Sequence, residues 1–404
     1  MKVYICNDGC VEGQLSSTCV ELFLKKHRLT IVTGIEKADL IIFYACGLTE
    51  LRQQQSLEII NNIKKTIKPT AKLIVWGCLS KINPEALRKI YDGPMIGPMD
   101  TNFFTNLTGD GTAKFDNMDI GAPINLLIPS ITSGIQKVDP FIDKLLFFEQ
   151  NLDRLFQRAR KDTPTPFIIR VAKGCTGTCT YCSEHLAFGR IKSRAISNVL
   201  NDFTTGLQQG YRLFSLMATD LGAYGQDIGC SLPDLLEKML DLSNGSDCKI
   251  VLNQVNPFHL KNLYPDLERI FESGRIDTLC SPVQSGSDRL LRLMHRPHTA
   301  EEWRSYMMLI RQKFPKIRLV TQFMVGFPTE TEKDFIATER LLAYPLWFDY
   351  VHVFKFSPRP HVPASFMFGQ VPEHVKEIRR RRLLRRHALT KGIGMLTKET
   401  LGIF

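Results

Sequence analysis

Apolar and polar positions alternate in blocks from the first residue onward. Lys2–Cys6 is a short apolar run, and Gln14–Lys26 carries the three-to-four residue spacing of a helix. Ala38–Cys46 (ADLIIFYAC) and Lys72–Cys78 (KLIVWGC) are continuous apolar runs of strand length. Such runs suit parallel strands covered on both faces. Helical spacing returns over Thr49–Lys65 and Asn83–Tyr91. The βαβ alternation predicts a small doubly wound parallel sheet.

The pattern weakens from Asn102 to Thr165, where Gly109-Asp110-Gly111, Pro123 and Pro129 signal turns. Asp139–Lys161 has helical character, and Thr163-Pro164-Thr165-Pro166 then interrupts the chain. A second alternating series follows. Its expected strands are Phe167–Lys173, Leu213–Thr219, Lys249–Val255, Ile276–Ser281, Arg318–Val325 and Tyr350–Phe356. Helical spacing lies between them over Ile196–Gln209, Pro233–Leu242, Leu260–Ser273, Ala300–Lys313 and Glu330–Leu342. This predicts a partial (β/α)6 barrel, with chemistry in the loops after the strands' C-terminal ends. The expected organisation is a first domain over 1–105, an irregular connection over 106–165, the barrel over 166–375 and a basic tail over 376–404.

Hydrophobic residues at 44% and charged residues at 23% are ordinary for a globular chain. No apolar run is long enough to span a membrane, and the N-terminus reads as a strand rather than a signal peptide. The expected compartment is therefore the cytoplasm. Eleven cysteines, an odd number in a chain of 404 residues, favour reduced thiols and metal ligands over a disulfide framework. A net charge of +11 suits a polyanion such as RNA, and equally an acidic peptide. The dense run Lys376–Arg386 (KEIRRRRLLRR) is either a solvated helix face or a contact for that polyanion.

Chemistry concentrates in Gly174-Cys175-Thr176-Gly177-Thr178-Cys179-Thr180-Tyr181-Cys182. This spacing can turn Cys175, Cys179 and Cys182 toward one point, and thiolates hold iron–sulfur clusters. Three ligands leave one iron of a [4Fe–4S] cube open to another molecule. A zinc knuckle or a ferredoxin-like site with a distant fourth ligand is the competing reading, though zinc motifs favour paired C-x-x-C units. The loop resembles the signature of radical S-adenosylmethionine (SAM) enzymes.

A second set is dispersed. Cys10 follows the first expected strand, while Cys46 and Cys78 end the next two. Parallel strands present their C-terminal ends along one edge, so these three can converge. They could instead be small buried hydrophobes, as free cysteine often is.

The two cysteine sets together resemble the radical-SAM methylthiotransferase family. Supporting stretches are Ser193-Arg194, Thr219–Gly229, Pro282–Ser287, Met294-His295-Arg296, Val325–Pro328 with Glu330-Thr331, and Phe356–Pro360. Thr219–Gly229 is similar to the branch that modifies threonylcarbamoyladenosine in tRNA. The chain departs from the family pattern at Phe188, Cys280, Gln322, Thr329 and His361-Val362. After Arg386 too few residues remain for the family's C-terminal TRAM barrel, so none is expected.

The resemblance implies two [4Fe–4S] clusters and SAM as cofactors. Cys175, Cys179 and Cys182 would hold the cluster that cleaves SAM to a 5′-deoxyadenosyl radical. Cys10, Cys46 and Cys78 would hold an auxiliary cluster that supplies or carries sulfur. Around SAM it implies Arg194 near the carboxylate, with Thr219, Asp220, Gln284 and Ser285. Gly326 and Phe327 would lie near the adenine; any polar residue of this set could instead cap a helix. The implied reaction inserts a methylthio group at an unactivated C–H bond of a modified tRNA adenosine. Thiolation or methylthiolation of a peptide or protein side chain is the alternative. A redox or binding protein that kept clusters but lost catalysis is a third class. An electron donor such as flavodoxin or ferredoxin would be the redox partner.

Overall fold

In the computed structural model, residues 1–109, 115, 121–123 and 165–400 are described, with side chains to residue 395. The first sheet contains β1 (Lys2–Asn7), β2 (Thr30–Ile31), β3 (Leu40–Tyr44), β4 (Lys72–Trp76) and β5 (Met95–Ile96). Their order is β2-β1-β3-β4-β5, all parallel. Every residue of β3 is buried, which explains its unbroken apolar run. The order reverses between β1 and β3, so a ligand crevice is expected at their C-terminal ends. Helices Val11–Lys26 and Glu50–Thr66 cover the sheet. Thr49 caps the second through Arg52 N at 3.2 Å.

Among its described residues, the stretch expected to be irregular holds two elements. Helix Asn102–Leu107 continues the first unit, because Phe104 and Phe115 complete its core beside Trp76. β6 (Gly121–Pro123) pairs antiparallel with the first barrel strand. Three residues including Gly and Pro carry no periodicity, and proline is tolerated at a sheet edge. The helix expected over Asp139–Lys161 lies outside the described residues.

The second sheet continues with β7 (Phe167–Arg170), β10 (Leu213–Met217), β11 (Lys249–Leu252), β12 (Ile276–Cys280), β13 (Arg318–Val325) and β14 (Tyr350–Lys355). These strands are mutually parallel, and the order β14-β13-β12-β11-β10-β7-β6 adds β6 at one edge. The fold is thus the expected α/β arrangement of a doubly wound sheet followed by a partial barrel. Of the expected Phe167–Lys173 strand, the end separates as β8 (Ala172–Lys173), paired antiparallel with β9 (Lys192–Ser193). That small ribbon closes the base of the cysteine loop. A short helix, Asp288–Leu293, lies between β12 and the Ala300–Lys313 helix.

The basic tail is a helix, Glu373–Thr400, packed against β14 and β13. Helical spacing puts Lys376, Arg379, Leu383 and Thr390 on its buried face. Arg379 pairs with Glu330 at 2.8 Å, and Arg382 with Glu332 at 2.5 Å and Glu339 at 2.7 Å. Glu377 takes Arg381 at 2.8 Å and Arg380 at 3.7 Å. Arg379, Arg380, Arg381 and Arg382 are therefore largely neutralised by the protein's own carboxylates. One face of the run therefore has a structural role, while Arg381, Arg385 and Arg386 are exposed.

Burial pushes the Glu330 carboxyl up to about 7, against the pull of the Gly326 N–H and Arg379. A carboxyl raised this way contributes stability that is full below 4.5 and lost as pH rises through about 7. Arg379→Met removes one of the groups opposing that rise. Unpairing the buried charge should cost about 3–5 kcal/mol, with a larger deficit near pH 8 than near pH 5. Urea unfolding at both pH values measures this, and a pH-independent deficit would contradict the assignment.

Candidate functional site

The loop that follows β8 is held by backbone geometry before any cofactor is considered. Gly174 has φ +77°, and a Cβ there would lie 2.2 Å from the Arg190 carbonyl oxygen. Cys175 N donates to Gly189 O at 3.2 Å, and Thr180 N donates to Met294 O at 3.2 Å. The loop is therefore tied to its own return arm and to the barrel. Gly177 N donates to Cys175 Sγ at 3.2 Å, a bond that favours a thiolate. A Cβ on Gly177 would stand 3.4 Å from Cys175 Sγ and 3.6 Å from Cys179 Sγ, so both sulfurs face one point. Cys182 is raised well above the usual thiol range by burial, then by Glu184, with Cys179 and Cys175 adding to it. Arg296 Nη1 reaches Cys179 Sγ at 4.0 Å and Tyr181 OH at 3.4 Å.

The dispersed cysteines meet at the crevice of the first sheet. Cys10 caps the Val11–Lys26 helix through Gly13 N at 3.2 Å. Its thiol is raised well above normal, first by a hydrogen bond with Cys46, then by burial and by Asp8. Burial raises Cys78, with Cys46 adding to the rise, and Tyr44 OH lies 3.5 Å from its sulfur. Asp8 Oδ2 accepts from Cys46 N at 2.6 Å and from Ser56 Oγ at 2.8 Å, fixing the loop after β3. Gly77, with φ +113°, brings the next loop close; a Cβ would be 2.9 Å from Ala45 O.

The two sets share one interior. Leu186, Ala187 and Phe188, on the Glu184–Phe188 helix after Cys182, pack in the same cluster as Cys10 and Cys78. Glu184 raises both Cys78 and Cys182. Glu12, beside Cys10, bridges Arg170 and Lys173 at 3.2 Å each, just before the second loop.

The donor sets fit clusters chemically. Burial and neighbouring groups raise Cys10, Cys78, Cys175 and Cys182, and iron bound there would displace their protons and compensate the repulsion. Among the described residues, no three His, Cys, Asp or Glu side chains surround one point as they would a single metal ion. In a [4Fe–4S] cube each thiolate binds its own iron, which needs a wider spacing.

The residues expected around SAM divide into two groups. Asp220 Oδ2 faces the loop, 3.4 Å from Cys175 Sγ, 3.3 Å from Thr176 Oγ1 and 3.3 Å from His259 Nε2. Its buried Oδ1 has no hydrogen-bond partner. Gln284 has φ +73°, and its buried Oε1 likewise has none. Thr219 is half-buried beside Asp220. The others are engaged inside the protein. Arg194 is 2.8 Å from both Asp202 Oδ2 and Arg170 O, so its guanidinium braces β7 instead of facing open space. Ser285 bonds Thr338 and Ser287 N, and Phe327 packs on Phe356. Gly326 N donates to Glu330 at 2.6 Å, and Lys376 crosses the place its Cβ would take.

Arg296 and His259 belong to the site without having been singled out as site residues. Arg296 stood in a recognised stretch, whereas a lone histidine early in the Pro257–Glu272 helix gives no local signal. A cavity of about 310 Å³ opens beside the loop, lined in part by Thr176, Cys179, Gln226, Asn256, His259 and His295.

A partial barrel with this cysteine loop at its mouth defines a radical-SAM enzyme. The Radical SAM superfamily model matches residues 169–342, and an uncharacterized protein family, UPF0004, matches residues 2–96. The tRNA-2-methylthio-N(6)-dimethylallyladenosine synthase of Aquifex aeolicus is 30% identical over 392 residues, covering 95% of this chain and 82% of that protein. The probable threonylcarbamoyladenosine tRNA methylthiotransferase of Archaeoglobus fulgidus is 26% identical over 385 residues, at 95% and 82% coverage. The ribosomal protein uS12 methylthiotransferase RimO of Syntrophomonas wolfei is 27% identical over 393 residues, also at 95% and 82%. In fold, the radical SAM methyltransferase TsrM of Kitasatospora setae aligns with a TM-score of 0.62 at 13% identity, covering 90% of this chain and 77% of that one. The chain belongs to the radical-SAM methylthiotransferase family, whose chemistry uses SAM and a [4Fe–4S] cluster. Among the described residues, no helix is long and apolar enough to cross a membrane.

Proposed function

We propose that this enzyme methylthiolates a modified adenosine of tRNA, using two clusters held by its two cysteine sets. One observation carries the reading: the Glu184–Phe188 helix that follows Cys182 packs against the Leu79–Ile82 helix that follows Cys78, and Cys10 and Cys78 share a core with Leu186, Ala187 and Phe188. Sulfur held at one set can then be delivered where a radical is generated at the other. The tRNA-acting relatives and the net charge of +11 favour RNA. The uS12-directed relative keeps a protein substrate as the reading to test against.

Bound clusters and SAM supply electron transfer, a carbon-centred radical, sulfur and a methyl group. The protein's part is placement. Cys175, Cys179 and Cys182 hold the SAM-binding cluster, with the Gly177 N–H and the Arg296 cation stabilising negative charge on its sulfurs. Asp220, braced by Thr176 and His259, and Gln284 offer buried oxygens without partners to polar groups of SAM. Thr219 borders that space. Arg194, Ser285, Gly326 and Phe327 shape the loops around it. Cys10, Cys46 and Cys78 hold the auxiliary cluster, and the Glu12 bridge keeps the two loops in register. The electron donor is a small reduced protein of the flavodoxin or ferredoxin kind. We assign residues 1–109 to the auxiliary-cluster unit and 166–400 to the barrel with its closing helix.

Mass spectrometry of tRNA nucleosides from cells with and without the gene tests the substrate. Deletion should remove a methylthiolated adenosine completely, and the same modified adenosine without its methylthio group should accumulate. An unchanged nucleoside profile, with a methylthio mass lost from a protein instead, would move the substrate to protein.

A further inference from the structure

Residues 357–370 run across the barrel mouth between the two cysteine loops, and each end is tied down. Ser357 Oγ accepts from Glu50 N at 3.1 Å, and the Arg359 guanidinium bonds Gln53; both partners start the helix that follows Cys46. Ala364 N donates to Thr180 O at 2.9 Å, inside the other cysteine loop. Thr329 N donates to Gly369 O at 2.8 Å. Within the segment, Arg359 N donates to Ser365 Oγ at 2.8 Å, and Gln370 Nε2 reaches both Ala364 O and Met367 O at 3.0 Å. Its backbone is therefore fixed from several sides.

This braced segment holds two phenylalanines out to solvent, Phe366 at 76% and Phe368 at 93% exposure. Next to it, Phe354 near the end of β14 is 46% exposed on the face opposite the buried Val351 and Val353. The ring of His352 lies parallel to that of Phe354, 6.0 Å away at 4°. Aromatic rings on a fixed backbone are the means by which proteins take up splayed, single-stranded bases. Two nitrogen-bearing side chains stand nearby: Arg289, anchored to Thr329 O and paired with Asp334 at 2.6 Å, and His361, exposed and 3.8 Å from Glu85.

We infer that Phe366 and Phe368 form a stacking surface for unpaired bases flanking the target nucleotide in an RNA loop, with Phe354 continuing it into the barrel mouth. The inference rests on the proposed RNA substrate and adds the residues that grip it. An apolar peptide would also meet phenylalanines. The overall positive charge and the placement between both cysteine loops favour the RNA loop.

The test is fluorescence anisotropy of a labelled anticodon stem-loop RNA with the cluster-reconstituted protein across a salt series. Phe366→Ser with Phe368→Ser should weaken binding about 10-fold or more, since stacking on each aromatic contributes substantially. The slope of log affinity against log salt should stay that of the wild type, because no phosphate contact is removed. Phe366→Tyr with Phe368→Tyr should bind within about twofold of wild type, as the rings remain. Both positions are exposed, so the fold tolerates these changes, and an unchanged urea midpoint checks it. Wild-type affinity in the serine variant, or a loss shared equally by the tyrosine variant, overturns the inference. Wild-type protein that fails to bind the RNA strikes the substrate reading itself.

Discussion

Cys179→Ala should abolish SAM cleavage, while Cys46→Ala should leave it running and abolish only the thiolated product. The contrast follows from where each sulfur sits. Cys179 shares a focus with Cys175 beside Gly177 and has the Arg296 guanidinium next to it. Removing it takes one of three ligands from the iron site that would bind SAM. 5′-Deoxyadenosine formation under strong reductant should then fall to background, a loss of about a thousandfold or more against typical turnover. Cys46 lies in the loop after β3, bonded to Asp8 through its backbone and to Cys10 through its side chain. On the proposed assignment, its loss would weaken the auxiliary cluster without touching the SAM loop. Chromatography of 5′-deoxyadenosine and of product from the same reactions separates the two. Thiolated product at wild-type rate from Cys46→Ala would remove the sulfur-delivery role. Loss of 5′-deoxyadenosine in both variants would mean that the sets do not act separately.

Some of this could be read directly from the chain. The Cys175–Cys182 spacing is local, so a loop that turns its thiols together is visible as text. Cys10, Cys46 and Cys78 were legible through the strands before them, because a parallel sheet aligns strand ends whatever the sequence distance. Contacts between elements were not legible. Arg379 and Arg382 read as a basic run because nothing local shows that Glu330, Glu332 and Glu339 face them. β6 becomes a strand only by pairing with β7, and Gly121-Ala122-Pro123 alone has no strand signal. The resemblance implied Arg194 beside SAM, and nothing local shows that Asp202 and the Arg170 carbonyl lie 2.8 Å from its guanidinium. Phe188, a departure from the family pattern, has a packing role in the core that joins the two cysteine sets.

That shared core makes iron stoichiometry the decisive quantity. Each set supplies three thiols, and three thiolates suffice for a [4Fe–4S] cluster with one open iron. Anaerobically reconstituted protein should therefore contain about eight irons. Replacing Cys175, Cys179 and Cys182 together with alanine should leave about four, and so should replacing Cys10, Cys46 and Cys78. Iron and sulfide analysis, with Mössbauer spectra of all three proteins, reads the number and type directly. Wild-type protein near eight and each variant near four, all as [4Fe–4S], is the predicted result. About four irons in the wild type, zinc in place of iron, or a triple variant with unchanged iron would contradict the two-cluster account.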